Sequence, residues 1–364
     1  MRLGGYIVVE ATLGAALLTG VGFAGAAGVS RVRAAWRHGG AAAAALASEP
    51  PRALRTRGEL SNLPDLRVAL ESAGTFLGMS DELLLERVRT QPIVRFKLNH
   101  GGSSLSFRID FADGSRAAWK PIQTNLQTMP RKEVAAYRLN RLLGLNAVPP
   151  AAPRAVTRDE LLAHLHPDSE PSLPRIRAEA VFDDQGRTVG AASYWIPVIR
   201  DSGFDVAPGR QDAQDWLTQG ESIPMEQREM AAQLSDLTVF DFLTANPDRY
   251  SGGNMKMSPD GEQLFFMDNT MSFFIGVDGK ERSRQELFKA QRFSRALYEA
   301  LDRIDVPTLE RLMGGNGGGA GRGYGDEVLT AEEIRAVVSR RETVRHHIAD
   351  LIAEYGEKNV LTFP

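Results

Sequence analysis

The stretch from Ser235 to Phe273 constrains this chain most, because its pattern changes from helix to loop to hairpin over a short distance. Leu234, Leu237, Phe240 and Leu243 recur at near-helical spacing, and Asn246-Pro247 stops that helix, since proline disfavours helical geometry in the residue before it. The polar loop Asp248-Arg249-Tyr250-Ser251-Gly252-Gly253-Asn254 follows. Met255 to Ser258 and Gln263 to Met267 then flank the turn signal Pro259-Asp260-Gly261-Glu262, so Asp268 is expected to leave a strand pointing back towards Asp248 and Asn254.

Phosphoryl transfer asks for that combination. It needs a carboxylate to orient the acceptor hydroxyl, and an amide with a second carboxylate to hold divalent metal against phosphates. Taken singly, Asp248 after Asn-Pro and Asp268-Asn269 after an apolar strand are ordinary turn residues. Together, and separated by a hairpin, Asp248, Asn254 and Asp268 supply the three roles in order.

Composition narrows the alternatives. A chain of 364 residues with 43% hydrophobic and 24% charged residues is globular, with room for a two-lobed domain. Its net charge of -3 offers no basic excess for a nucleic-acid partner, and zero cysteines exclude disulfides and thiolate chemistry. The six histidines are scattered, and the adjacent pair His346-His347 is read as helix surface.

Gly5 to Val29 carries Glu10 as its one charge and is long enough to cross a bilayer of about 30 Å. Three readings stand: a membrane anchor through residues 5–29, a signal peptide with Ala24-Gly25-Ala26 as a cleavage site, or a processed segment resembling type IV pilin precursors at Gly4-Gly5-Tyr6 through Glu10. Arg31, Arg33 and Arg37 after the span favour an anchored chain with its bulk in the cytoplasm, whereas the other two readings export it to the cell envelope. The expected division is 1–30 anchor or signal, 31–58 linker, 59–197 a nucleotide-binding lobe and 198–364 a catalytic lobe.

Between Leu60 and Val88 the pattern predicts two short helices, the second capped by Ser80. Val94, Phe96 and Leu98, then Leu105, Phe107, Ile109 and Phe111, alternate with polar residues as half-buried strands. The connection between them contains Gly101, Gly102 and Ser103, which read either as an ordinary hairpin turn or as backbone able to approach phosphates closely. Arg116 to Lys120 is a third strand, and a helix from Arg131 to Leu143 carries Glu133, positioned to pair with Lys120 and fix it against a nucleotide. A strand near Ala155 follows, then a hairpin of Ala178 to Phe182 with Thr188 to Ile199, whose end, Ala192 to Ile196, reads either as a plain core strand or as the place where backbone groups meet a nucleotide base. Residues 200–222 read as loop, and Arg282 to Arg303, Val306 to Met313 and Ala331 to Tyr355 as helices, the last behind the capping box Thr330–Glu333. Gly314 to Gly325 is a glycine-dense break.

Asp241-Phe242-Leu243, Asn246, Asp248-Arg249-Tyr250 and Asp268-Asn269 resemble the signatures of atypical kinases, namely the Golgi casein-kinase family of secreted-protein kinases, the spore-coat kinases and the HipA-type kinases, over about residues 93–275. The resemblance implies an α+β, two-lobed protein-kinase-like fold, with a small antiparallel-sheet lobe carrying one helix and a larger helical lobe. It also implies ATP with Mg²⁺ or Mn²⁺, and transfer to Ser/Thr of a protein or to a small-molecule hydroxyl. By position, Lys120 binds phosphates and Glu133 pairs with it, Asp248 is the base, and Asn254 and Asp268 hold metal. Tyr250 stands where the family has histidine, and Asn254 falls one residue later than the common spacing. The later Asn254 and the anchor keep open an anchored pseudokinase that binds a partner, and Gly5-Tyr6 to Glu10 keeps open an envelope or pilus-associated display protein.

Overall fold

The computed structural model describes Leu60 and residues 65–250, 253–276, 280–314 and 327–364. The expected anchor, the linker and nearly all of the glycine-dense break lie outside them. Among the described residues no helix is long and apolar enough to cross a membrane.

The first helix, α1 (Leu66–Ala73), is capped by the Asp65 side chain, which accepts from the Val68 amide. A small ribbon, β1 (Thr75–Phe76) with β2 (Met79–Ser80), precedes α2 (Asp81–Thr90), whose cap is Ser80 as expected. The ribbon was not legible because its turn places Leu77 at φ 52 beside Gly78 at φ 77, and leucine is no turn signal. Its reward is packing, since Leu77 seats against the cluster of Phe76, Leu84, Ile196 and Phe265.

Next come β3 (Ile93–Leu98), β4 (Phe107–Phe111) and β5 (Arg116–Lys120), then α3 (Arg131–Leu142), β6 (Ala151–Thr157), α4 (Arg158–Ala163), α5 (Leu173–Glu179) and β7 (Arg187–Tyr194). The strands form one antiparallel sheet in the order β3-β4-β5-β7-β6. Trp119, Phe96 and Phe107 stack at its core with ring centroids 5.6 to 6.2 Å apart, and α2 and α3 pack against β6 and β7.

Two strand expectations are corrected. A register shift between Ile93 and Arg95 turns Val94 outward, 46% exposed, and puts Ile93 in the core instead. Ala178 to Phe182 is not the first arm of a hairpin: α5 runs to Glu179, and β7 pairs with β6 from Ala151↔Ser193 to Thr157↔Arg187. The turn itself survives, with Asp183 Oδ1 accepting from the amides of Gln185 and Arg187, and this local signal had suggested a local partner.

The remaining elements are β8 (Arg200–Asp201), α6 (Gly209–Trp216), α7 (Arg228–Thr244), β9 (Met255–Met257), β10 (Leu264–Phe266), α8 (Glu281–Lys289), α9 (Arg295–Ala300), α10 (Val306–Met313), α11 (Ala331–Tyr355) and α12 (Glu357–Val360). A second antiparallel sheet runs β10-β9-β8. The stretch read as loop holds α6, and the helix expected from Arg282 to Arg303 breaks after Lys289. There the Gln291 amide is taken by the Leu217 carbonyl and that of Phe293 by Val360, so tertiary partners replace helical ones. His347, expected at the surface, instead packs against the rings of Phe288 and Phe293 and bonds the Ala290 carbonyl at 3.0 Å. The capping box is formed in both directions.

Candidate active site

On β5, alternation buries Ala117 and Trp119 and turns Ala118 and Lys120 into a cavity of about 400 Å³. Gly190 on β7 permits that spacing, because a Cβ there would lie 2.3 Å from the Lys120 carbonyl and 2.4 Å from the Trp119 indole nitrogen. Glu133 enters from α3, and Asn254, Lys256, Met267 and Asp268 enter from the hairpin β9–β10. The Asp248 carboxylate accepts from Asn254 Nδ2 at 3.0 Å. Residues far apart in sequence thus meet in one cleft.

The hairpin forms as the sequence predicted, with Met255 opposite Phe266 and the Met267 amide on the Asn254 carbonyl at 3.1 Å. That register sets Asn254 beside the strand exit at Met267-Asp268. The later spacing of Asn254 is accommodated by Gly253, whose φ of +66 few other residues adopt. Asp268 also has a left-handed backbone, φ 52, a conformation that costs about 1–3 kcal/mol and collects at functional sites.

Lys120 Nζ donates to Asp268 Oδ1 at 2.5 Å. Burial opposes the charge on Lys120, but Asp268 and Glu133 outweigh it and hold the ammonium above its ordinary value. Burial likewise works against the Asp268 carboxylate, yet Lys120 and the Thr270 hydroxyl keep it below the usual range. Glu133 differs from expectation. It forms no ion pair with Lys120, its carboxylate accepting instead from the Asn269 amide at 2.8 Å and from Asn269 Nδ2 at 3.3 Å. Burial pushes the Glu133 carboxyl up, and Asp268 adds to this against the pull of Lys120.

The glycine-bearing connection does not reach this cavity. Asn99 and His100 line it, whereas Gly101, Gly102 and Ser103 are exposed, and the Ser103 carbonyl accepts from Arg175 on α5 at 2.8 Å. Loop composition signalled a turn, and the turn is tied outward.

The groups that hold the loop were quoted in the sequence motif without a structural role. Arg249 is fully buried, and its guanidinium donates to both Asp241 oxygens at 3.0 to 3.1 Å, to the carbonyls of Asn254 and Met267, and to Asn269 Oδ1 at 2.8 Å. One side chain therefore joins α7, the Asp248 loop and the Asp268 turn. The signal was Asp241 at one helical end and Arg249 just past it. Tyr250, in place of histidine, lies between the guanidiniums of Arg210 and Arg282, 5.2 and 4.6 Å from its ring centre.

Cleft chemistry fits a divalent cation. Asn254 spends its Nδ2 on Asp248, leaving Oδ1 as an oxygen donor, and the carboxylates of Asp268, Glu133 and Asp248 all act on the Lys120 ammonium. Among the described residues no group of three or more His, Asp or Glu is placed to hold a metal ion by itself.

No family model matches the chain, and no curated protein does. Solved structures do match. The chain is similar to the Golgi casein kinase at TM-score 0.57 and 15% identity, and to that kinase with Mn/ADP bound at 0.58 and 15%, each over 80% of both chains. It is also similar to hydra Fam20 with sugar at 0.54 and 17%, over 76% of this chain and 90% of that one. The fold is that of the Fam20 kinases, a mixed α/β arrangement. Of the groups in the sequence resemblance, this one is supported by structure.

Proposed function

We propose that the cleft binds a nucleoside triphosphate with a divalent cation and transfers its terminal phosphoryl group to a hydroxyl. The observation that carries this reading is the meeting of Lys120, Asp268 and Asn254 in one cavity, with Asp248 bonded to the Asn254 side chain, within a kinase-like fold. In this reading residues 59–197 are the smaller, sheet-bearing lobe and 198–364 the larger helical one.

Lys120 holds phosphate oxygens, and its ammonium is kept charged by the carboxylates around it. Glu133 orients the Asn269 turn that carries Asp268, instead of holding Lys120 directly. Asp248, fixed by Asn254, accepts the proton of the incoming hydroxyl. The base lies against Ala118, Ala191, Ile196 and Met267, near the backbone of Ser193 to Ile196. Asp268 and Asn254 Oδ1 would hold Mg²⁺ or Mn²⁺, which neutralises charge on the phosphates when bound. The Mn/ADP-bound neighbour supports this choice.

The acceptor is a hydroxyl of a protein Ser/Thr or of a small molecule, and we propose that residues 5–29 tether the enzyme to a membrane. Full-length protein with ATP and Mg²⁺ or Mn²⁺ tests the activity. Metal-dependent turnover lost in Asp268→Ala supports an enzyme, whereas nucleotide binding without turnover for any acceptor returns the pseudokinase alternative.

A further inference from the structure

We propose that Lys256 is a second cationic contact for the phosphate chain of the nucleotide, held in reserve by Asp201; this rests on the nucleotide reading of the cleft. On β9, Met255 and Met257 are buried, while Lys256 between them turns into the cavity that Lys120 also lines. An apolar residue would stack on a base at lower cost, so a lysine here asks for an anionic partner.

Position selects which part of the nucleotide it meets. A Cβ on Gly253 would lie 3.1 Å from Lys256 Nζ, so the ammonium sits over the residue preceding Asn254. In the proposed reading Asn254 marks the metal and phosphate side of the cleft. Lys120 from β5 and Lys256 from β9 therefore face the same space from two sheets.

The present partner of Lys256 is one it can give up. Asp201 stands directly opposite on β8 and accepts from Nζ, but its side chain is 77% exposed. An ion pair so open to water is screened and weak, weaker than a charge-assisted bond to a phosphate inside the cleft. Asp201 thereby parks the ammonium at the mouth and competes weakly with ligand.

Calorimetric titration of full-length wild type, Lys256→Met and Asp201→Asn with ADP, each with Mn²⁺, and with adenosine tests this. We expect Lys256→Met to weaken ADP about 10-fold or more, the equivalent of one charged hydrogen bond. Adenosine affinity stays the same, which also shows that the variant is folded. Asp201→Asn tightens ADP a few-fold. Unchanged ADP affinity in Lys256→Met overturns the proposal, as does an equal loss for adenosine, which would assign Lys256 to the nucleoside. A wild type that binds ADP no better than adenosine removes the cleft reading itself, and the proposal with it.

Discussion

Replacing Arg249 by methionine tests whether the loop bearing Asp248 is held by one buried charge. The guanidinium is fully buried and satisfies Asp241, Asn269 Oδ1 and two backbone carbonyls. Its loss strands a carboxylate that is 2% exposed, and breaking a buried pair from one side costs about 3–5 kcal/mol. Burial already pushes the Asp241 carboxyl above the usual range against the pull of Arg249, so the stranded group is raised further. A raised folded-state carboxyl stabilises below its unfolded pKa and loses that contribution as pH rises, so the deficit of Arg249→Met is largest near neutrality and shrinks in acid. Urea unfolding at several pH values measures it. The double variant Arg249→Met, Asp241→Leu removes both charges and should be more stable than Arg249→Met alone. Additive losses, or a single-variant loss under about 1 kcal/mol, refute the reasoning.

Other expectations follow from particular contacts. Asp248→Asn should lower turnover by about 10² to 10⁴ while leaving ADP affinity near wild type, read from steady-state rates and titration. Gly190→Ala forces a methyl against the Lys120 carbonyl, which should cost about 1–3 kcal/mol and weaken nucleotide binding; an unshifted melting temperature and affinity count against that close approach. Thr330→Ala removes one half of the α11 capping box and should cost about 1 kcal/mol in urea unfolding. Burial pushes the Asp236 carboxyl up to about 7, so its contribution to stability is full below pH 4 and is lost as pH rises through 7; Asp236→Asn should flatten that slope in melting experiments.

What the sequence made legible follows the range of each signal. The hairpin before Asp268 was readable because turn chemistry and strand alternation are local, and α10 and α11 because capping and helical period agree along the chain. The pairing of β7 with β6 was not, since the Asp183 turn speaks only for its own neighbours while the ladder joins strands separated by two helices. The outward turn of Val94 depends on a register shift that no residue there announces. In the cleft, Lys120, Asp248, Asn254 and Asp268 were placed together by spacing and resemblance. The partner of Glu133 was missed because Asn269 and Lys120 both lie within its reach, and only three dimensions decide between them. Gly101 to Ser103 suggested a phosphate cradle by composition, which carries no direction.

The central claim is that Lys120, Asp248, Asn254 and Asp268 form one phosphoryl-transfer site. Its most direct test is ATP turnover by the full-length protein with Mg²⁺ and Mn²⁺, beside Asp268→Ala. The account predicts metal-dependent turnover that is lost in the variant. A wild type that shows neither turnover nor metal-dependent binding of ADP would contradict it, and would leave the kinase-like fold without its chemistry.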